Sequence, residues 1–231
     1  MRNELLLIAT LLIEYTAVVL AHRFYGKIGL YSWIAIATVL ANIEVLILVE
    51  AFGIEMTLGN VLFASTFLAT DCLSVFYGKD EAKTGVTIGI VAAVAFAVIS
   101  ISWIAYIPTE NSIAADAIHQ LFAFTPRVVA ASIIVYAIVQ RLDVALYHRI
   151  WQLTANDRNP QRMLWLRNNG ATIISQVINA ILYNVLAFWG IYGASTLIAI
   201  TVSNIVIYLV TSLADTPFIY LARKLDKNKE N

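Results

Sequence analysis

Five residues of one apolar stretch, Asn60, Phe63, Phe67, Asp71 and Ser74, advance in steps of three and four. On a helix that spacing sets two aromatic rings and three polar groups on one face. Such a face suits a flat ligand, whose planes stack on the rings while its edge hydrogen-bonds the polar groups. Asn169, Thr172, Gln176, Asn179 and Tyr183 repeat the spacing, and Thr201, Asn204, Tyr208, Thr211 and Asp215 repeat it again. Three polar stripes on three apolar helices predict one shared polar cavity.

The competing role for these amides and hydroxyls is interhelical hydrogen bonding, worth about 0.5–2 kcal/mol each in a membrane. Asp71 stands apart, because a carboxylate at the centre of a span costs at least about 2.5–3.5 kcal/mol on insertion scales and marks a functional position by default. Arg127 follows Pro126 at the end of a span, where snorkelling to the interface competes with ligand contact. Asp215 precedes Thr216 and Pro217, so a kink competes with a site there. Arg141, Asp143, His148 and Arg149 read as a solvated or salt-bridged helix end. The candidate ligand-contacting set is Asp71, Asn60, Phe63, Phe67, Ser74, Gln176, Asn179, Arg127 and Asp215.

The elements that carry these residues follow from composition. The 231 residues are 60% hydrophobic and 13% charged, against roughly 45–50% and about 25% in an ordinary soluble domain. Apolar runs near 4–22, 29–52, 57–77, 84–106, 127–150, 168–190 and 194–222 each approach the roughly 20 residues needed to cross a bilayer. The fold class is therefore all-α, a polytopic transmembrane bundle of six to seven spans. The first run, interrupted by Glu14, reads as retained rather than as a signal peptide. One transmembrane domain covers 1–223, and a solvated tail covers 224–231.

Basic residues collect in alternate connections: His22, Arg23 and Lys27; Lys79 and Lys83; Arg149, Arg158, Arg162 and Arg167; Arg223, Lys224, Lys227 and Lys229. Glu50, Glu55, Glu110 and Asp116 occupy the others. The positive-inside rule then predicts a cell-membrane protein with a cytoplasmic C-terminus. Between Ile107 and Thr125, the helical spacing of Ile113, Ala117, Leu121 and Phe124 predicts an interfacial helix.

Several chemistries are disfavoured. Fifteen basic and fifteen acidic residues give no net charge and no general pull on nucleic acid. Cys72 is the single cysteine, and His22, His119 and His148 lack metal-ligand spacing, so no cofactor or metal is expected. No phosphate loop, GxGxxG, HExxH or GxSxG pattern occurs, which leaves ATP-driven work to another chain and disfavours an enzyme.

Phe67-Leu68-Ala69-Thr70-Asp71, followed by Tyr77-Gly78, resembles the signature of the queuosine precursor transporters, a family also known as vitamin uptake transporters. Further matches follow in order: Gln140-Arg141-Leu142-Asp143-Val144 with His148-Arg149, Leu164-Trp165-Leu166-Arg167-Asn168-Asn169, Ser175-Gln176, and Asp215-Thr216-Pro217. The resemblance runs from about Asn3 to Arg223. It implies import of a 7-deazaguanine, such as 7-cyano-7-deazaguanine, its aminomethyl analogue or queuine, for tRNA modification. It also implies that Asp71 accepts from the guanine-like edge, Gln176 and Asn179 fix the ring, and Phe63 or Phe67 stacks on it.

Two departures bear on that reading. Many relatives have Ser-Glu where this chain has Ser74-Val75, and the family often has Asp where it has Asn179. A missing carboxylate speaks for a neutral ligand over a cationic one. The alternative is the substrate-binding subunit of an energy-coupling-factor importer, since Ala17 and Ala21 form a small-xxx-small pair suited to a scaffold subunit or to a homodimer.

Overall fold

The computed structural model describes residues 2–45, 47–122, 126–154, 163–191 and 193–226. Arg158, Arg162, Phe124, Lys227 and Lys229 lie outside the described residues. Six helices among the described residues are long and apolar enough to cross a membrane. They are α1 (Arg2–Glu44), α2 (Gly59–Phe76), α3 (Lys79–Ala105), α5 (Pro126–Thr154), α6 (Leu164–Phe188) and α7 (Ala194–Lys224). Side chains such as Leu5, Ile13, Val98 and Leu213 stay exposed on their outer faces, as lipid contact requires.

The 43 residues of α1 would extend about 64 Å if straight, twice the hydrocarbon thickness. Gly26 breaks the helix at φ 60 and ψ −138, a region that glycine enters without steric cost. Beyond it the chain reverses: a Cβ on Gly29 would lie 2.1 Å from the Ala21 carbonyl oxygen, so only hydrogen fits there. The Asn3 side chain accordingly reaches the Glu50 carbonyl at 2.9 Å. The two arms are antiparallel, so α1 contributes two segments to the bundle.

The second expected span ends early. In place of a helix to residue 52, α1 stops at Glu44, and β1 (Leu48–Ala51) pairs antiparallel with β2 (Ile54–Thr57). Phe52 at φ 55 and Gly53 at φ 71 form the two-residue connection, the positive-φ pair that matches hairpin twist. Within the stretch expected to hold an interfacial helix, α4 (Ala115–Phe122) does form, and none of its residues is buried. Its Phe122 ring meets Phe96 and Trp103 of α3 at 5.7 and 5.3 Å.

The most buried span is the central one. Within α2, 89% of the apolar window is buried, against 22% in α3 and α7. It packs on α1, α3, α5 and α7, so its Asn, Thr, Ser and Asp side chains face protein on every side. The main apolar core, including Tyr15, Leu30, Ile34, Leu68, Leu73 and Val86, wraps its inner half. On α3 the buried positions Gly85, Gly89, Ala93 and Ala97 form a small-residue stripe at four-residue spacing that brings neighbouring helices close.

The basic connections converge at one end, the one that the positive-inside rule assigns to the cytoplasm and hereafter the inner end. Arg23 donates to the Leu225 carbonyl at 2.9 Å, Lys27 pairs with Glu81 at 3.0 Å, and Lys83 pairs with Asp80 at 3.1 Å. Glu50 and Glu110 are exposed at the opposite, outer end.

Candidate functional site

A cavity of about 1020 Å³ opens in the outer half, at the upper end of the roughly 300–1,000 Å³ of small-ligand sites. α1 contributes Thr38 and Asn42, α2 contributes Asn60 and Phe63, and α5 contributes Ser132 and Tyr136. Asn179, Tyr183 and Asn184 of α6 face Ser203, Asn204 and Tyr208 of α7. The hairpin and α4 border the mouth through Gly53, Met56, Ala117 and Gln120. Phe63 meets Tyr136 at 5.7 Å and 63°, giving an aromatic wall.

Tyr208 donates to Asn60 Oδ1 at 3.1 Å, and Asn179 donates to Gln176 Oε1 at 3.3 Å. Below them Phe67, Val135 and Val139 form an apolar plug. Gln140, fully buried, donates to Thr66 Oγ1 at 2.7 Å and ties α5 to α2 at that level.

Further inward lies a second polar region. Thr172 donates to Asp71 Oδ2 at 3.4 Å, Asn168 donates to Asp215 Oδ1, and Asn169 donates to Thr216 Oγ1 at 2.6 Å. Asp71, Asp143 and Asp215 come within electrostatic reach of one another. All three are buried to 1% exposure or less, so Asp143 is not at a solvated helix end. Its position explains why: with α5 running to Thr154, residue 143 still has three turns of helix beneath it. At the inner end Arg167, 1% exposed, stacks over Trp151 at 4.5 Å.

The expected site residues therefore separate into three groups. Asn60, Phe63 and Asn179 border the cavity. Phe67, Asp71, Ser74, Gln176 and Asp215 are buried beneath it, and none is among its lining residues. Arg127 lies apart: it is exposed, and its guanidinium donates to the Leu186 and Trp189 carbonyls at 2.7 and 2.8 Å, capping the C-terminal end of α6. The stripes bring Asp71, Thr172 and Asp215 into one interior, but the cavity itself lies one level further out.

Sequence reading missed Asn42, Tyr136 and Asn184 on the cavity wall. Asn184 follows Asn179 by five residues and falls outside the three-and-four series. Tyr136 faces the cavity only because Gly89 on α3 admits its ring.

Comparison with known proteins identifies the family. The family model described as "Putative vitamin uptake transporter" matches residues 57–222. The chain is 36% identical over 219 residues, 95% of its length and 94% of the relative's, to a Bacillus subtilis (strain 168) protein named "Probable queuosine precursor transporter". It is 28% identical over 149 residues, 64% of its length and 62% of the relative's, to the "Queuosine precursor transporter" of Escherichia coli (strain K12). No solved structure matches. The ordered motifs, the apolar bundle and these matches give one conclusion: the chain is a multi-pass membrane protein belonging to the queuosine precursor transporter family.

Proposed function

We propose that this chain imports 7-deazaguanines, the precursors of the queuosine modification, and does so without an ATPase partner. The observation that carries the reading is an outer cavity with aromatic and amide walls, Phe63, Tyr136, Asn60 and Asn179, above a buried polar interior. Stacking on the rings and hydrogen bonding to the amides suit a flat heterocycle with donors and an acceptor on its edge. The relatives named for queuosine precursors support the substrate class.

The outer cavity is one half of an alternating-access cycle. The apolar plug of Phe67, Val135 and Val139 separates it from Asp71, Asp143 and Asp215. Helix rearrangement opens the inner half, and the ligand passes along Gln176 and Thr172, where Asp71 accepts from its N–H edge. With the basic ends inside, this moves ligand from the outer side to the cytoplasm.

Purified protein reconstituted into liposomes and given labelled 7-cyano-7-deazaguanine tests the proposal. Saturable uptake by this chain alone is the expected result. Binding without uptake, relieved only by adding an ATPase complex, would give the energy-coupling-factor reading instead. No binding and no uptake of any deazapurine would remove both.

A further inference from the structure

Among the described residues, none that lines the outer cavity is Asp, Glu, Lys, Arg or His. The three interior carboxylates, Asp71, Asp143 and Asp215, lie beneath the Phe67 plug. A cationic ligand entering this space would lose hydration without meeting a counter-charge, which a low-dielectric wall makes costly. A neutral heterocycle meets no such penalty.

The amides in the wall are not equivalent. Asn42 is committed at both ends, donating to the Thr38 carbonyl at 2.8 Å and accepting from Ser132 at 3.2 Å. Asn184 is committed at one end only. Its Nδ2 donates to Thr201 Oγ1 at 3.2 Å, and the Thr201 hydroxyl is itself engaged with the Leu197 carbonyl at 2.7 Å. Thr201 has one proton to give, so its oxygen must accept from Asn184, and the amide cannot be turned round. Asn184 Oδ1 is left buried and without a partner. Asn60 shows the complement: Oδ1 accepts from Tyr208, while Nδ2 is buried and unpartnered. Asn184 of α6 and Asn60 of α2 both border the cavity, and each holds one orphaned polar atom, an acceptor and a donor; both atoms are buried in this conformation, so a ligand reaches them only by drawing the side chains inward, which relieves the standing cost of an unpartnered polar atom.

Resting on the transport reading above, we propose that the outer cavity is an uncharged recognition site in which Asn184 and Asn60 determine specificity. Asn184 Oδ1 accepts from the exocyclic amine of the deazaguanine, Asn60 Nδ2 donates to its ring carbonyl, and the Phe63 and Tyr136 wall takes its flat face. The site selects a neutral deazaguanine over the cationic aminomethyl analogue. Asp71 has no share in this first binding event and acts only after the plug has moved.

The test is equilibrium binding to purified wild-type protein of 7-cyano-7-deazaguanine, its aminomethyl analogue, 7-deazaguanine, and 7-deazahypoxanthine, which lacks the exocyclic amine. Asn184→Leu and Asp71→Asn follow, with liposome uptake measured in parallel. The cyano compound should bind at least about tenfold tighter than the aminomethyl one, and loss of the exocyclic amine should weaken binding about tenfold. Asn184→Leu should lower affinity for 7-deazaguanine by a similar factor and leave 7-deazahypoxanthine unaffected. Asp71→Asn should retain affinity and lose uptake. Tighter binding of the cationic analogue, indifference to the exocyclic amine, or an Asp71→Asn protein whose affinity falls with its uptake overturns the proposal and leaves the transport reading standing. A wild-type protein that neither binds nor carries any deazaguanine removes both. The ligand series is read on the wild type, so a variant that fails to fold does not decide the outcome.

Discussion

The Tyr136 ring of α5 occupies the space that a side chain on Gly89 of α3 would need: a Cβ there would lie 2.0 Å from the hydroxyl oxygen and 2.8 Å from Cζ. Tyr136 is 3% exposed and also borders the cavity. Packing between α3 and α5 therefore sets the position of a ring that the ligand is proposed to meet.

Gly89→Ala should force that ring aside at the cost of overpacking, about 1–3 kcal/mol. Both melting temperature in detergent and ligand affinity should fall. Tyr136→Phe, which removes the nearest atom, should recover part of the loss when combined with Gly89→Ala. Strictly additive effects of the two substitutions would show that the contact does not couple the helices.

Arg127 was a candidate ligand contact, and its two donors are engaged with the α6 carbonyls of Leu186 and Trp189. Arg127→Gln should lower stability by about 1 kcal/mol, a charge-assisted bond discounted for exposure, and leave deazaguanine affinity near normal. Arg127→Lys should recover little, because an ammonium lacks the planar two-donor fork. Thermal melting and binding on the same preparations check this; a large affinity loss with unchanged melting would return Arg127 to the site.

Asn168 donates to Asp215 in an interior where both are buried to 1% exposure or less. Asn168→Ala should remove that donor and destabilise the fold by about 1–3 kcal/mol or more. Asp215→Asn in the same chain should lessen the cost, since a neutral amide is cheaper to leave in the interior. If the double variant is no more stable than Asn168→Ala alone, the bond does not support the carboxylate.

Orientation can be read in intact cells. Glu110 is exposed at the outer end, and the Asp80 side chain is 94% exposed at the inner end. A membrane-impermeant maleimide should label Glu110→Cys directly and Asp80→Cys only after permeabilisation. The native Cys72 is fully buried and adds little background. The reverse labelling pattern would invert the proposed direction of the bundle.

Length and polarity of the apolar runs determined most of the architecture, because each crossing helix satisfies its own backbone hydrogen bonds and so leaves a local record in sequence. The alternation of basic ends was legible for the same reason, and the structure gathers Lys27, Lys83 and Arg23 at one end. The hairpin at Leu48–Thr57 was not legible, since two four-residue strands in an apolar stretch look like the end of a helix until their partners are known. The stripes at three-and-four spacing marked which faces are polar, and Asp71, Thr172 and Asp215 do converge. Depth along the bundle was left to tertiary packing. Helical periodicity reports the angle of a side chain around its axis and says nothing of the level at which neighbouring helices part. Only the packed helices decided that Asn60 and Asn179 stand on the cavity wall while Asp71 and Gln176 lie sealed beneath it. Asn184 and Tyr136 reached that wall by the same route, through a five-residue step and a glycine on another helix, neither of which a single helix's pattern can show.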